Sequence, residues 1–161
     1  MRIRLATLDD AEAIRSIYNP EVLESTVTFD LVPRSLEDQQ AWIDAHSGTY
    51  PAIVAEEDGV TAGFGSLTAY KERPAYRTSV EDSVYVHRGF QGRGVGRLLL
   101  SSLVGLAADH GFHAMFARIV GGHEASITLH QKAGFEIIGI EKEVGRKFGQ
   151  WLDVCVMQRL V

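Results

Sequence analysis

A strand-like run from Ser79 to Val86 and a long apolar run opening at Leu98 are separated by Gln91-Gly92-Arg93-Gly94-Val95-Gly96-Arg97. Strand, glycine turn and helix in succession present bare backbone N–H groups to an anion. Glycine lets the backbone approach closely, and the helix N-terminus adds a favourable dipole. Spacing narrows the kind of phosphate. A nucleotide P-loop ends in Gly-Lys-Ser/Thr, which does not occur here. A dinucleotide loop needs Gly-x-Gly-x-x-Gly, but the sixth residue counted from Gly92 is Arg97, and from Gly94 it is Leu99. What remains is Gln91-x-x-Gly94-x-Gly96 feeding a helix.

The titratable residues around this loop suggest proton transfer. Alternation along the strand puts Ser79, Glu81, Ser83 and Tyr85 on one face and Val80, Val84 and Val86 on the other. Glu81 thus lies a few residues before the loop, where a carboxylate could accept a proton as a general base. Downstream, His123-x-x-Ser126-x-x-x-His130 adds two imidazoles, which titrate near neutral pH. Lys71, Arg73 and Arg77 form a basic stretch before Glu81, and an arginine fork suits a carboxylate. His46, His87, His110 and His113 have no metal-like spacing with a carboxylate or Cys, so no metal is expected. Cys155 sits between Val154 and Val156 and reads as packing.

These residues need a scaffold, and 161 residues, 45% hydrophobic, suffice for one domain spanning 1–161 with its own core. The formal net charge of -5 argues against nucleic acid as a partner. No apolar run reaches the ~18 residues of a membrane span, and the alternating, charged Met1 to Leu5 does not resemble a signal peptide. A single cysteine permits a reducing compartment, so a cytoplasmic location is expected. Periodicity predicts a strand at Ile3–Leu5 and a helix from Leu8 to Tyr18 stopped by Asn19-Pro20. An irregular stretch from Val22 to Phe29 follows, then a helix opened by Ser35-x-x-Asp38. Two strands joined at Asp58-Gly59 come next, then a loop from Lys71 to Arg77 and the strand to Val86. The helix to Asp109, a strand over His113–Val120, a helix over Ala125–Lys132, and strands over Phe135–Val144 and Trp151–Val161 complete the order. That order predicts an α/β (α+β) fold with a mixed, mostly antiparallel seven-stranded sheet and about four helices.

The glycine loop after Val84-Tyr85-Val86, together with the histidine segment ending in Gly134-Phe135, resembles the GNAT superfamily of N-acetyltransferases. Tyr76 to Val86, Ile17-Tyr18-Asn19, and Lys147-Phe148-Gly149-Gln150-Trp151-Leu152-Asp153 resemble its phosphinothricin and methionine sulfoximine N-acetyltransferases over nearly the whole chain. The resemblance implies acetyl-CoA as cosubstrate, held by Val84, Tyr85, Val86, Gln91, Gly92, Arg93, Gly94, Val95, Gly96, Arg97, His123, Ser126 and Lys132. His123 stands where the superfamily often has Asn, and His130 where it often has the Tyr that protonates the leaving thiolate. Glu81 takes the place of the base and His130 that of the acid, while Phe29, Arg73, Ala75, Tyr76 and Arg77, with Glu81, would line the acceptor site. The implied reaction is direct acetylation of the α-amine of a small amino-acid-like substrate by a homodimer. An acceptor such as a peptide N-terminus or a polyamine stays open, as does a catalytically silent acetyl-CoA-binding module.

Overall fold

The structure is a computed structural model describing residues 1–161. The elements run β1 (Arg2–Leu5), α1 (Ala11–Glu24), α2 (Leu36–Ala45), β2 (Ala52–Glu57), β3 (Val60–Ala69), β4 (Ser79–Val86), α3 (Val95–Asp109), β5 (Ala114–Val120), α4 (Glu124–Lys132), β6 (Glu136–Lys147) and β7 (Gln150–Leu160). Short 3-10 turns cover Leu8–Asp10, Pro74–Thr78 and Arg88–Phe90. The seven strands form one sheet in the order β1-β2-β3-β4-β5-β7-β6, with β4 and β5 its one parallel pair. This is the mixed, mostly antiparallel α/β layout that the sequence order predicts.

Local chemistry explains most boundaries. Ser35 and Asp38 cap α2 reciprocally, each side chain accepting the other's backbone N–H at 3.0 Å. Asp58 and Gly59 both take positive φ, 51° and 79°, which matches the twist of the β2–β3 hairpin. Phe148 and Gly149 do the same between β6 and β7, with φ of 52° and 72°. Those two strands therefore run on into the hairpin beyond the ends expected from sequence.

One helix boundary departs from expectation. Pro20 does not end α1, which continues to Glu24. An interior proline costs about 3 kcal/mol. Against this, Val22 is 1% exposed, and burying a valine contributes about 1.5–3 kcal/mol. Arg88 also pairs with Glu21 at 3.0 Å and Glu24 at 2.6 Å, tying the last turn to the segment after β4. Packing outweighs propensity here.

The sheet is covered on both faces. Leu99, Leu100, Leu103 and Ala107 of α3 bury against Ile53, Leu67, Met115 and Met157, while Ile14, Tyr18 and Val22 of α1 bury with Ile43, Val54 and Phe64 on the other face. Helix α3 lies close to the sheet because β3 offers glycine beneath it. A Cβ on Gly63 would stand 2.8 Å from the Tyr85 carbonyl oxygen and 3.1 Å from both Val95 Cγ1 and Leu99 Cδ1. Gly63→Ala is therefore expected to lower stability by about 1–3 kcal/mol, read by urea denaturation. Gly139→Ala in β6, where a Cβ meets nothing within 4 Å, serves as the control and should shift far less.

Candidate active site

Strands β4 and β5 pair only through Ser79–Ala114, Val80–Met115 and Glu81–Phe116. Beyond Glu81, β4 stays with β3 as far as Val86, while β5 stays with β7 as far as Val120. The two strands part and leave a fork in the sheet. The His87 N–H bonds the Ala62 carbonyl on the β3 side at 2.9 Å. Backbone groups alternate sides along a strand, so those of Val84 and Val86 face away from β3 into the fork. The fork opens into a cleft of about 1970 Å3, above the 300–1,000 Å3 usual for small-molecule pockets.

The glycine loop forms one end of this cleft. Gly94 precedes α3 with φ of 83°, a left-handed conformation that costs other residues about 1–2 kcal/mol. The N–H groups of Gly92, Arg93 and Gly94 meet no acceptor in the protein, and the first helical turn adds donors that a helix cannot itself satisfy. Gln91, Gly92, Gly94, Val95, Gly96 and Arg97 line the cleft, as do Val84, Tyr85 and Val86. The Arg93 side chain does not; it pairs with Glu57. A row of unpaired N–H groups at a helix start suits a pyrophosphate, and the open backbone edge of β4 suits the amides of an extended arm. The site thus has the donors that a CoA derivative requires.

Glu81 sits where strand pairing ends and lines the cleft. Burial pushes its carboxyl above the ordinary range; Arg118 opposes that shift, while Asp82 and Glu141 add to it. Arg118 is drawn off by an ion pair with Glu141. A half-buried carboxylate of raised pKa has the character of a general base.

The histidine segment also reaches the cleft. His123, just before α4, has its Nε2 2.9 Å from Thr26 Oγ1, and burial lowers its pKa. Ser126 and Lys132 line the same wall. His130 is 4% exposed, with Nδ1 2.8 Å from the Ser126 carbonyl oxygen and Nε2 2.9 Å from Asp82 Oδ1. A carbonyl only accepts, so Nδ1 carries a proton. Burial lowers the His130 pKa, but the hydrogen bond and charge of Asp82 outweigh it and the net shift is upward. Both ring nitrogens are thus engaged, while Asp82 Oδ2 is buried without a partner. The functional reading of the sequence omitted Asp82. The signal was present, because a charged residue on the Val80–Val84–Val86 face must find a partner in the core.

Of the residues expected to line the acceptor site, Glu81 alone lines the cleft. Arg73, Ala75, Tyr76 and Arg77 are exposed, on or beside the Pro74–Thr78 turn, outside the cleft lining. Tyr76 packs edge-on against Tyr70, which stacks on Phe116. Phe29 lies over Gly145 of β6 rather than in the cleft. Of the α1–α2 connection, Val27 lines the cleft, joined by Glu21 of α1; neither stood out in the sequence. Buried Lys147 fastens this connection, donating to the Thr28 carbonyl at 2.9 Å. Cys155 is buried in the core as a free thiol.

Residues 3–156 match a family profile described as an acetyltransferase (GNAT) domain. The chain is 41% identical over 159 residues to the L-amino acid N-acyltransferase MnaT of Escherichia coli, covering 98% of this chain and 92% of that protein. It is 40% identical to the L-methionine sulfoximine/L-methionine sulfone acetyltransferase of Salmonella typhimurium, covering 98% and 93%. Among solved structures, a phosphinothricin acetyltransferase from Sinorhizobium meliloti in complex with acetyl-CoA superposes with a TM-score of 0.95 at 38% identity, covering 99% and 88%. The forked sheet, the glycine loop and these matches make the chain a member of the GNAT acetyltransferase family.

Proposed function

We propose that this protein transfers the acetyl group of acetyl-CoA to the α-amine of a small amino-acid-like acceptor, of the methionine sulfoximine, methionine sulfone or phosphinothricin class, in the cytoplasm. The observation that carries this reading is the position of Glu81. Its carboxyl, raised by burial, stands at the branch of the fork, and the open β4 edge leads from there to the unpaired N–H groups of the glycine loop. Relatives named for amino-acid-like acceptors support the acceptor class.

Acetyl-CoA supplies an acyl group activated as a thioester. The N–H groups from Gly92 to Arg97 hold the pyrophosphate, and the backbone of Val84 and Val86 pairs with the pantetheine arm. His123, Ser126 and Lys132 close the opposite wall. Glu81, directly or through a water, removes the proton that keeps the acceptor amine from attacking. The Val86 N–H, facing the fork, is the donor available to negative charge developing there. Transfer is direct, because Cys155 is in the core and neither the Ser83 nor the Ser126 hydroxyl bonds a histidine or carboxylate. Asp82 stabilises His130 in its charged form; the Nε2 proton shared with Asp82 is the one it returns to the departing thiolate as that bond opens, leaving the ring neutral with Nδ1–H on the Ser126 carbonyl.

We also infer a homodimer. Ile137, Ile138 and Ile140 of β6 are about half exposed, as are Val144, Phe148 and Trp151 around the β6–β7 hairpin. Apolar side chains gathered on one element in this way mark a protein contact. Sedimentation should show a dimer that Trp151→Arg with Ile140→Lys converts to monomer; a monomeric parent protein would refute it.

The enzymatic reading is tested by CoA thiol release from acetyl-CoA with L-methionine sulfone, phosphinothricin, spermidine and a short peptide. Release with the first two is expected, and release with none would overturn the reading. Glu81→Gln should lower kcat by roughly 10²–10⁴-fold with acetyl-CoA affinity unchanged. The base works ionised, so kcat/KM should hold above the raised Glu81 pKa and fall as pH drops through it. Equal turnover in Glu81→Gln would remove the base assignment.

The Asp82–His130 pair makes a separate prediction. The folded pKa of His130 lies above the 6.5 of an ordinary imidazole, so its contribution is complete below about pH 6.5 and is lost as pH rises through the folded value. His130→Gln should cost about 3–5 kcal/mol near pH 6, because it leaves Asp82 buried and unpaired. It should also flatten the decline of stability above that pH in urea titrations.

A further inference from the structure

A second, smaller pocket adjoins the fork on the α1–α2 face of the sheet. It measures about 100 Å3 and shares Ser83 and Tyr85 with the main cleft. Arg34 lines it. The guanidinium carbon stands 3.9 Å from the Tyr18 ring centroid and 5.0 Å from that of Trp42. Nη1 donates to Gln39 Oε1 at 3.1 Å, whereas Nε and Nη2 have no acceptor in the protein. No carboxylate forms an ion pair with Arg34; Asp30, the acid near Tyr18, instead takes the Tyr18 hydroxyl.

Arg34 is firmly held. Its backbone N–H and C=O both bond the Asn19 side chain at 2.9 Å. Gln39, which orients the guanidinium, is fully buried and leaves its own Nε2 without an acceptor. Ser66 is 2% exposed and lines the pocket, yet its hydroxyl bonds no protein group; Ser83 is likewise free. A half-buried cation with two free donors beside two free hydroxyls is complementary to one carboxylate.

We propose that Arg34 is the specificity-determining residue that anchors the α-carboxylate of the acceptor. This rests on the acetyltransferase reading above. The pocket holds a carboxylate head and no more, so the rest of the acceptor extends past Ser83 into the main cleft. Ser83 and Glu81 point to the same face two residues apart, about 7 Å along the strand. Thr68, another pocket residue, is the register partner of Glu81. An α-amine is one carbon from its carboxylate, so a carboxylate on Arg34 directs the amine toward Glu81. A polyamine gives Arg34 no partner and meets its charge instead.

The test compares L-methionine sulfone with its primary carboxamide, in the parent protein and in Arg34→Gln and Arg34→Lys. The parent should prefer the acid. Arg34→Gln should raise KM for the acid roughly 10- to 100-fold, the loss of a charge-assisted contact, with kcat and the KM for the amide little changed. Arg34→Lys should recover part of the acid preference. Unaltered acetyl-CoA affinity in the variants shows that the fold is intact. Equal use of acid and amide by the parent would overturn the anchor and leave the acetyltransferase reading standing. An equal loss on both acceptors in Arg34→Gln would do the same. Failure of the parent to release thiol with any amine would overturn both.

Discussion

The parting of β4 and β5 after Glu81 governs the rest of the molecule. A parallel pair that ran its full length would bury the backbone groups of Val84 and Val86 in the ladder. Because it stops, a stretch of strand edge stands open in the middle of a sheet, where an edge normally invites the wrong partner. The fold protects it without pairing it. Helices α3 and α4 flank it on one face, the connection after α1 approaches on the other, and β5 is satisfied by β7. The opening is built in by the scaffold, so it costs nothing further when a ligand arrives.

Buried charge holds the fork to its shape. Asp82 leaves β4 on the apolar face and meets His130 of α4, joining one arm of the fork to the helix beyond the other. Lys147 does a comparable job at the opposite wall, reaching the backbone of the α1–α2 connection with its ammonium. Such contacts contribute little net stability, since each charge gives up hydration to form them. They are specific, however: Asp82 bonds no group but His130, and the Lys147 ammonium is held by the Glu21 and Thr28 carbonyls together. Arg4, Asp10 and Glu56 form a similar network that ties β1 to the start of α1 and to β2.

The site also shows how one strand serves two layers. The odd-numbered side chains of β4 face α1 and α2, where Tyr85 stacks on Phe64 and meets Tyr18 edge-on. The even-numbered ones face α3 and α4, where Val80, Val84 and Val86 join the larger core. Glu81 and Asp82 are neighbours in sequence but are held in different environments. One carboxyl is raised by burial, and the other is committed to a histidine. Two acids one residue apart thereby acquire separate roles.

Local chemistry made much of this legible in the chain itself. Element order, the turn at Asp58-Gly59, the cap at Ser35 and the glycine loop are set by residues within a few positions of one another, so spacing reveals them. The alternation that gave β4 its two faces was readable for the same reason. Contacts across tens of residues were not. The continuation of α1 through Pro20 depends on a core and on Arg88, far along the chain. The bond between His130 and Asp82 spans 48 positions, and the placement of Lys147 against Thr28 spans 119. Arg73 and Arg77 precede Glu81 in sequence, yet the fold leaves both exposed outside the cleft, whereas Arg34, far from Glu81 in sequence, lines the small pocket beside Ser83. Sequence by itself determined which elements form and which of them carries the glycine loop, because local spacing encodes both. Only the tertiary structure decided which charges meet, because burial and pairing are properties of surfaces that the chain brings together after its elements have formed.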